Sequence, residues 1–495
     1  MVTEHVFKTA PYAHQREAFE RDRDREFHAL LMEMGTGKSH VLINTIAWLF
    51  NKGAINAALL VVPKSITRTW SREQLPTHLP DTVTRRHVVV WTGTPNQAER
   101  TELQELFQPD PLCLKVLVMN VEALSLGTKH KPGKAYVFAE AFLNAHRALM
   151  AVDESTTIKS PDANRSKNVV RLGHLATYRR VLTGTPVTQS PLDIFTQFEF
   201  LGPNLLECGN FYAFRNRYAQ LRRRVINGRS FDEVVGWQRL DELRGLVDRH
   251  GYRKLKSECL DLPAKVYQTR YVELGTEQAR LYAELRDHAV AELDAARIVT
   301  APLFLTRLLR LRQVLAGVVP ADGEEEGYEL EKNPRLEALL EVLEETDGKA
   351  IVWVSFVKPL LRIVKELSAK FGPGSAVPFY GDVPAKVRQE FVESFQSPND
   401  RPRFFVGQVR TGGLGLTLTA ARTVVYFDHD WSLEARAQSE DRAHRIGQAR
   451  SVTYVDLVAE GTVDETILEA LRSKRDLADL VTGDGWRRLL RGGSF

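Results

Sequence analysis

Short apolar runs, each closed by turn residues, recur along the first part of this 495-residue chain. Ala57-Ala58-Leu59-Leu60-Val61-Val62 is stopped by Pro63, and Val116-Leu117-Val118-Met119, Ala148-Leu149-Met150-Ala151-Val152 and Arg180-Val181-Leu182-Thr183 are built alike. Runs of this kind leave no polar face, so both faces of each strand must be covered. That is the signature of parallel strands buried between helices. The pattern returns in Ala350-Ile351-Val352-Trp353-Val354, Arg403-Phe404-Phe405-Val406 and Thr423-Val424-Val425-Tyr426-Phe427. Two α/β blocks are therefore expected, without a close repeat between them. From about Phe195 to Leu315 the pattern turns mostly helical and rich in Arg, Leu and Glu. Two basic clusters fall there, Leu221-Arg222-Arg223-Arg224 and Tyr252-Arg253-Lys254-Leu255-Lys256, and each reads first as a solvated helix face. Gly323-Glu324-Glu325-Glu326-Gly327 reads as an exposed acidic loop ahead of the second block.

Composition narrows this only a little. A chain of this length exceeds one core, so two or three domains are expected. Apolar content of 43% and charged content of 26% are those of ordinary globular protein. A net charge of +4 neither requires nor excludes nucleic acid, because a local basic groove would vanish in the sum. Cys113, Cys208 and Cys259 lie far apart and form no CxxC pair, which argues against a zinc site or a disulfide framework and suits a reducing interior. The chain opens with Glu4, His5 and Lys8 rather than an apolar stretch, so no secretory signal is expected, and no apolar run reaches membrane-spanning length.

Candidate chemistry concentrates at four places. Gly35-Thr36-Gly37-Lys38-Ser39 follows the apolar Ala29-Leu30-Leu31 and precedes Val41-Leu42-Ile43, which can open a helix. Glycines there let backbone N–H groups close around phosphate oxygens. Lys38 would reach the β- and γ-phosphates of a nucleotide and Ser39 would coordinate Mg²⁺. The strict GxxxxGK[ST] pattern fails, since Met32 stands at its first glycine. Asp153-Glu154 closes a strand-like run, where two carboxylates suit metal binding through Asp153 and activation of water by Glu154. The alternative is a solvated helix cap. Gln15 carries an amide donor and acceptor that match an adenine edge. Near the C-terminus, Arg442 and Arg445 stand a helical turn apart and would point the same way on a helix. An arginine brought from a second domain can neutralise charge on a phosphoryl group in transfer.

Taken in register, these segments resemble the Swi/Snf family of superfamily-two DNA translocases over nearly the whole chain. Glu33 to Ser39 resembles its phosphate loop, and Pro63-Lys64-Ser65 with Trp70 and Glu73 its motif Ia. Asp153-Glu154-Ser155-Thr156 through Ser160 resembles motif II, and Leu182-Thr183-Gly184-Thr185-Pro186 is similar to motif III. Tyr252 to Lys256 with Leu262, Pro263 and Lys265 resembles the basic segment leaving the first lobe, and Leu311-Arg312-Gln313 the segment before the second. Ile351 to Phe356 resembles motif IV, Arg410 to Ala421 motif V, and Gln438 with Asp441-Arg442-Ala443-His444-Arg445-Ile446-Gly447-Gln448 motif VI.

The resemblance implies an α/β fold of two RecA-like parallel-sheet lobes with helical insertions between them. It suggests a first lobe over 1–194, insertions and linker over 195–330 and a second lobe over 331–495. It implies ATP and Mg²⁺, bound through Gln15, Gly35, Thr36, Gly37, Lys38, Ser39 and Asp153, with Glu154, Arg442 and Arg445 catalytic. It implies coupling through Thr156, Thr183 and Gln438. It implies duplex DNA as partner, held through phosphates by Lys64 and Ser65 on one lobe and Arg410, Thr411 and Gly412 on the other, with the strands kept together. A slow ATP-gated DNA clamp or a strand-separating helicase are the alternatives. Departures from the family pattern are Ser155-Thr156 where Ala-His is usual, which suggests looser coupling, and Thr417 where Asn is frequent. The chain carries no bromodomain-like, chromodomain-like or zinc-bearing segment. Nucleosome remodelling is therefore not expected, and a compact bacterial or viral form acting in the cytoplasm is.

Overall fold

The computed structural model describes residues 4–471, except 94, 129–130, 188–189, 227–228, 260–262, 296–300, 320–327, 399, 410–415, 431, 446 and 470. Side chains at 65, 128, 131, 224–231, 289–305, 307 and 385 also lie outside the described set. Internal packing divides the chain between residues 260 and 261 into two compact units.

The first unit is built on a seven-stranded sheet, all of whose pairings are parallel. Its strands are β1 (Phe27–Met32), β2 (Ala57–Val62), β3 (Arg85–Val90), β4 (Cys113–Asn120), β5 (Ala148–Asp153), β6 (Tyr178–Leu182) and, after a hairpin described below, β9 (Gly251–Lys254). Their order across the sheet is β9-β1-β6-β5-β2-β4-β3. β2 and β5 are buried along their whole length, which is why both read as unbroken apolar runs. Helices α1 (Ala13–Asp22) and α2 (Lys38–Asn51) pack together, and α3 (Ile194–Leu201) buries a nearly continuous apolar surface in the core that includes Phe142, Val152, Val181 and Phe198. At the foot of α1 lies a closed polar cluster. The buried Asp22 carboxylate accepts from His28 and Thr45 and is ion-paired with Arg180, and Arg180 donates to the carbonyls of Asp22, Arg25, Glu26 and Arg179. That cluster fastens α1 to β1, α2 and β6.

The middle of the chain departs from the helical expectation. Arg222, Arg223 and Arg224 lie on an antiparallel hairpin of β7 (Ala219–Ile226) and β8 (Arg229–Trp237). The register sets Arg222 opposite Glu233 and Arg223 opposite Asp232, so cross-strand charge pairing supports a ribbon rather than a helix. Tyr252, Arg253 and Lys254 form β9, parallel to β1, and do not lie on a helix face.

The second unit carries a six-stranded parallel sheet. Its strands are β10 (Lys265–Val272), β11 (Lys349–Val354), β12 (Ala376–Phe379), β13 (Phe404–Gln408), β14 (Ala421–Tyr426) and β15 (Val452–Ala459), in the order β10-β15-β14-β11-β13-β12. Alternate residues feed two cores, as the two-residue repeat of a strand requires. Ala350, Val352 and Val354 pack with Leu360 and Leu367 on one face, and Ile351 and Trp353 with Tyr426 and Tyr454 on the other. The α/β architecture of two parallel sheets is the expected one. Residues 195–330 are shared out: the hairpin and β9 belong with the first unit, and β10 is an edge strand of the second sheet. The acidic loop at 323–327 lies outside the described residues. Among the described residues, no helix is long and apolar enough to cross a membrane.

Candidate nucleotide site

β1, β6 and β5 lie side by side, and the three segments leaving their carboxyl ends meet. In an open parallel sheet this is where ligands are held. The loop after β1 turns through Gly35 and Gly37, at φ 77° and 94°, and enters α2 at Lys38. Glycine is favoured at 37 because φ 94° strains any residue with a side chain, and a Cβ there would also push the Gln15 amide nitrogen, 2.1 Å away, off its position. Lys38 is 8% exposed, and its ammonium donates to the Met32 carbonyl at 2.8 Å and the Glu33 carbonyl at 3.4 Å. Ser39, the next residue, is half-buried. Thr36 turns its hydroxyl back onto the Glu33 carbonyl at 2.6 Å.

The loop is braced from α1. Gln15 donates to the Thr36 carbonyl at 3.0 Å, and His14 Nε2 approaches the same oxygen at 2.8 Å. A carbonyl can only accept, so Nε2 is the protonated ring nitrogen. The Gln15 carbonyl accepts from the Tyr12 N–H. The amide expected to face adenine is therefore engaged on the phosphate loop in this structure. His14, which the sequence did not single out, shares that contact.

β5 ends in Asp153, whose carboxylate is held at both oxygens. The Trp70 indole N–H donates to one at 2.8 Å and the Glu154 N–H to the other at 3.0 Å. Burial raises the pKa of Asp153, and the Lys38 charge and these donors partly oppose the rise. Glu154 sits at φ 47°, a left-handed backbone that is strained for a side-chain-bearing residue. Both acids are only 8% exposed, which is not how a solvated helix cap looks.

Behind them, Ser155 is fully buried and its hydroxyl donates to the Gln197 carbonyl oxygen at 2.6 Å. The Gln197 amide donates in turn to the carbonyls of Pro186 and Asp193, each at 2.8 Å. Gln197, on α3, thus ties the acidic segment to the 182–186 segment. Thr156 and Thr183 are buried beside this junction, and the Thr183 hydroxyl accepts from the Thr185 N–H. A Cβ on Gly184 would lie 2.9 Å from the Met34 nitrogen, so that segment rests directly against the phosphate loop.

Lys64 follows β2. Its N–H donates to the Glu122 carboxylate and its side chain is exposed. The Ser65 side chain and residues Arg410, Thr411 and Gly412 lie outside the described residues.

In the second unit α4 (Leu433–Ala443) carries Gln438, which donates to Glu434, and Arg442. The helix stops before Arg445, yet the two guanidinium groups still converge. Arg442 and Arg445 both donate to the Leu416 carbonyl, at 3.2 and 3.3 Å, and Arg445 also donates to the Thr417 hydroxyl at 3.1 Å. Burial lowers the Arg445 pKa, with Asp441 opposing. Glu440 is engaged by Arg436, Lys265 and Tyr267. Arg436, not singled out from the sequence, is the brace of this helix: it also pairs with Asp456 and lies 3.5 Å over the Tyr426 ring.

A family model described as SNF2-related domain matches residues 14–317, and one described as helicase conserved C-terminal domain matches 331–447. Similar proteins include an uncharacterized ATP-dependent helicase of Mycoplasma genitalium, 25% identical over 456 residues, 92% of this chain and 40% of the relative. The TATA-binding protein-associated factor mot1 of Aspergillus fumigatus is 30% identical over 381 residues, 67% of this chain and 20% of the relative. Chromodomain-helicase-DNA-binding protein 1 of Gallus gallus is 25% identical over 478 residues, 91% of this chain and 25% of the relative. The chain thus spans well under half the length of these proteins. Among solved structures, the Sulfolobus solfataricus SWI2/SNF2 ATPase core in complex with dsDNA aligns over 99% of this chain and 97% of its own, at 22% identity and a TM-score of 0.42.

Proposed function

We propose, from the premise that this chain belongs to the SNF2-related family of helicase-like ATPases, that it hydrolyses ATP when bound to duplex DNA and moves along the duplex without parting its strands. The observation that supports this most is the meeting of a phosphate-loop lysine, which follows β1, and a buried carboxylate pair, which ends β5, on either side of β6. A triphosphate suits the N-terminus of α2, where backbone N–H groups and Lys38 supply positive charge. The two carbonyl bonds Lys38 makes now would be exchanged for phosphate oxygens, and Gly35, Thr36 and Gly37 would close around them. Gln15 keeps a second amide hydrogen for the base.

Ser39 and Asp153 offer hydroxyl and carboxylate oxygens, the hard donors that suit Mg²⁺, which when bound supplies charge neutralisation across the β- and γ-phosphates. Glu154 is assigned to orient and deprotonate the attacking water. Arg442 and Arg445 are assigned to the charge that develops on the transferring phosphoryl. Thr156, Thr183 and Gln438 are the coupling positions. Lys64, Ser65, Arg410, Thr411 and Gly412 are assigned to duplex phosphates, contacts that give position without sequence preference. A bacterial protein is among the relatives, and the cytoplasm is the compartment we infer.

Ser155 and Thr156 motivate the second reading, a slow ATP-gated clamp. ATP turnover with no DNA, single-stranded DNA and duplex DNA, beside displacement of a triplex-forming strand, separates the two. Duplex-stimulated turnover with triplex displacement is expected. ATP-dependent duplex binding without displacement would favour the clamp, and release of a duplex strand would favour a helicase.

A further inference from the structure

We propose that Trp70 is a positioning residue that carries contact made at Lys64 to the carboxylate of Asp153. The inference rests on the reading above, in which Lys64 meets duplex phosphate and Asp153 holds the metal. Residues 64–78 form one continuous helical segment: a 3₁₀ turn at Lys64–Ile66, an α turn at Thr67–Thr69, a π turn at Trp70–Gln74 and an α turn at Leu75–His78. Lys64 stands exposed at its head, with its N–H tied to Glu122 and its carbonyl accepting from the Thr67 hydroxyl. Trp70 is 2% exposed.

An indole has a single polar atom, and a buried one usually finds an acceptor. Here the acceptor is the Asp153 carboxylate, at 2.8 Å. A bond to an ionised group is stronger and more directional than a neutral one. The Glu154 N–H occupies the other carboxylate oxygen, so the two donors together fix the rotation of the carboxylate plane. The π turn begins at Trp70, and the Leu75 N–H closes it on the Trp70 carbonyl. Such widened turns re-aim a side chain and recur at functional sites. A helical segment transmits displacement as a unit, so a shift at the Lys64 end moves the indole, and with it the carboxylate oxygen it holds.

The test uses the full chain with Trp70→Phe, and with Trp70 replaced by benzothienylalanine, which keeps the size and burial but has no N–H. Binding of a fluorescent ATP analogue is titrated with Mg²⁺, and turnover is measured with and without duplex. Loss of one charge-assisted bond should raise the Mg²⁺ midpoint by roughly tenfold. The ratio of duplex-stimulated to basal turnover should fall toward one, with the melting temperature of the benzothienylalanine protein lowered by no more than the few degrees that one lost buried bond accounts for. An unchanged Mg²⁺ midpoint together with an unchanged stimulation ratio would overturn the proposal and leave Trp70 a packing residue. A wild-type protein that duplex fails to stimulate would overturn the functional reading itself, and the DNA-free Mg²⁺ titration tells the two failures apart.

Discussion

Replacing Gln197 by Leu should cost both stability and DNA-stimulated turnover, and the loss should be partly rescued by Ser155→Ala. The resembled family usually has Ala where this chain has Ser155. A hydroxyl at a fully buried position is costly without a partner, and Gln197 provides one at 2.6 Å. In Gln197→Leu the Ser155 hydroxyl and the Pro186 carbonyl lose their partner and the Asp193 carbonyl loses the same donor, at about 1–3 kcal/mol for each buried group left without one. Rotation of the hydroxyl and the added apolar contact of Leu offset part of this, leaving roughly 2–3 kcal/mol. Ser155→Ala alone strands only the Gln197 oxygen and should cost about 1 kcal/mol. The double variant removes both partners, so the two effects should fail to add by about 1–2 kcal/mol. Amide exchange in peptides covering 148–158 and 182–201 of the full chain reads this as local opening, with tenfold faster exchange for each ~1.4 kcal/mol. Turnover on duplex should follow the same order. Strict additivity, or exchange unchanged in Gln197→Leu, would refute the idea that Gln197 and Ser155 act as one unit, and with it the view that this pair offsets the motif II departure.

Lys38→Ala should weaken ATP binding and abolish turnover, whereas Glu154→Gln should keep ATP binding and stop hydrolysis. Equilibrium binding beside turnover distinguishes them, and near-normal hydrolysis in Glu154→Gln would remove it from the role of base. Arg442→Ala and Arg445→Ala should each depress turnover by something like ~10³-fold, with ATP affinity and melting temperature little changed; instability in proportion to lost activity would make them braces like Arg436. At Asp22, burial alone would raise the carboxyl, but the Arg180 charge and the bonds from His28 and Thr45 outweigh it and hold the pKa at about 2, below the ordinary 3.8. Its contribution, about 2 kcal/mol, is therefore full above pH 3.8 and lost as pH falls toward about 2. The gap in melting temperature between wild type and Asp22→Asn should thus narrow as pH falls from about 4 toward about 2, and a gap that stays constant through that window would contradict the assignment.

What the sequence disclosed, and what it hid, follows from the range of the forces involved. Strands covered on both faces, such as β2, β5 and β11, must be apolar throughout and were legible. β3 begins with the exposed Arg85 and Arg86, and β10 is an edge strand with Tyr267 and Tyr271 exposed, so neither shows an apolar run. The β7–β8 hairpin had a signal in Asn227-Gly228, a dipeptide favoured in tight hairpin turns, set between Val225-Ile226 and Phe231. The glycine turn into α2 and the two buried acids were legible because their sequence signals are local. Their supports were not: Trp70 reaches Asp153 across 83 residues, Ser155 reaches Gln197 across 42, and His14 reaches Thr36 across 22. No spacing rule encodes such pairs.

The arginine pair shows the limit most sharply. Periodicity gave one shared direction for Arg442 and Arg445 on the assumption of a continuous helix, but α4 ends at Ala443. Arg445 is returned to the Leu416 carbonyl because the chain past the helix is clamped. His444 binds the Pro263 carbonyl at 2.7 Å, and the Gln448 amide reaches the carbonyls of Thr419 and Ala421 at 3.0 and 2.9 Å. The convergence therefore belongs to the backbone of 416–421 as much as to the helix. Thr417, a departure from the family pattern, is part of it, because its hydroxyl accepts from Arg445.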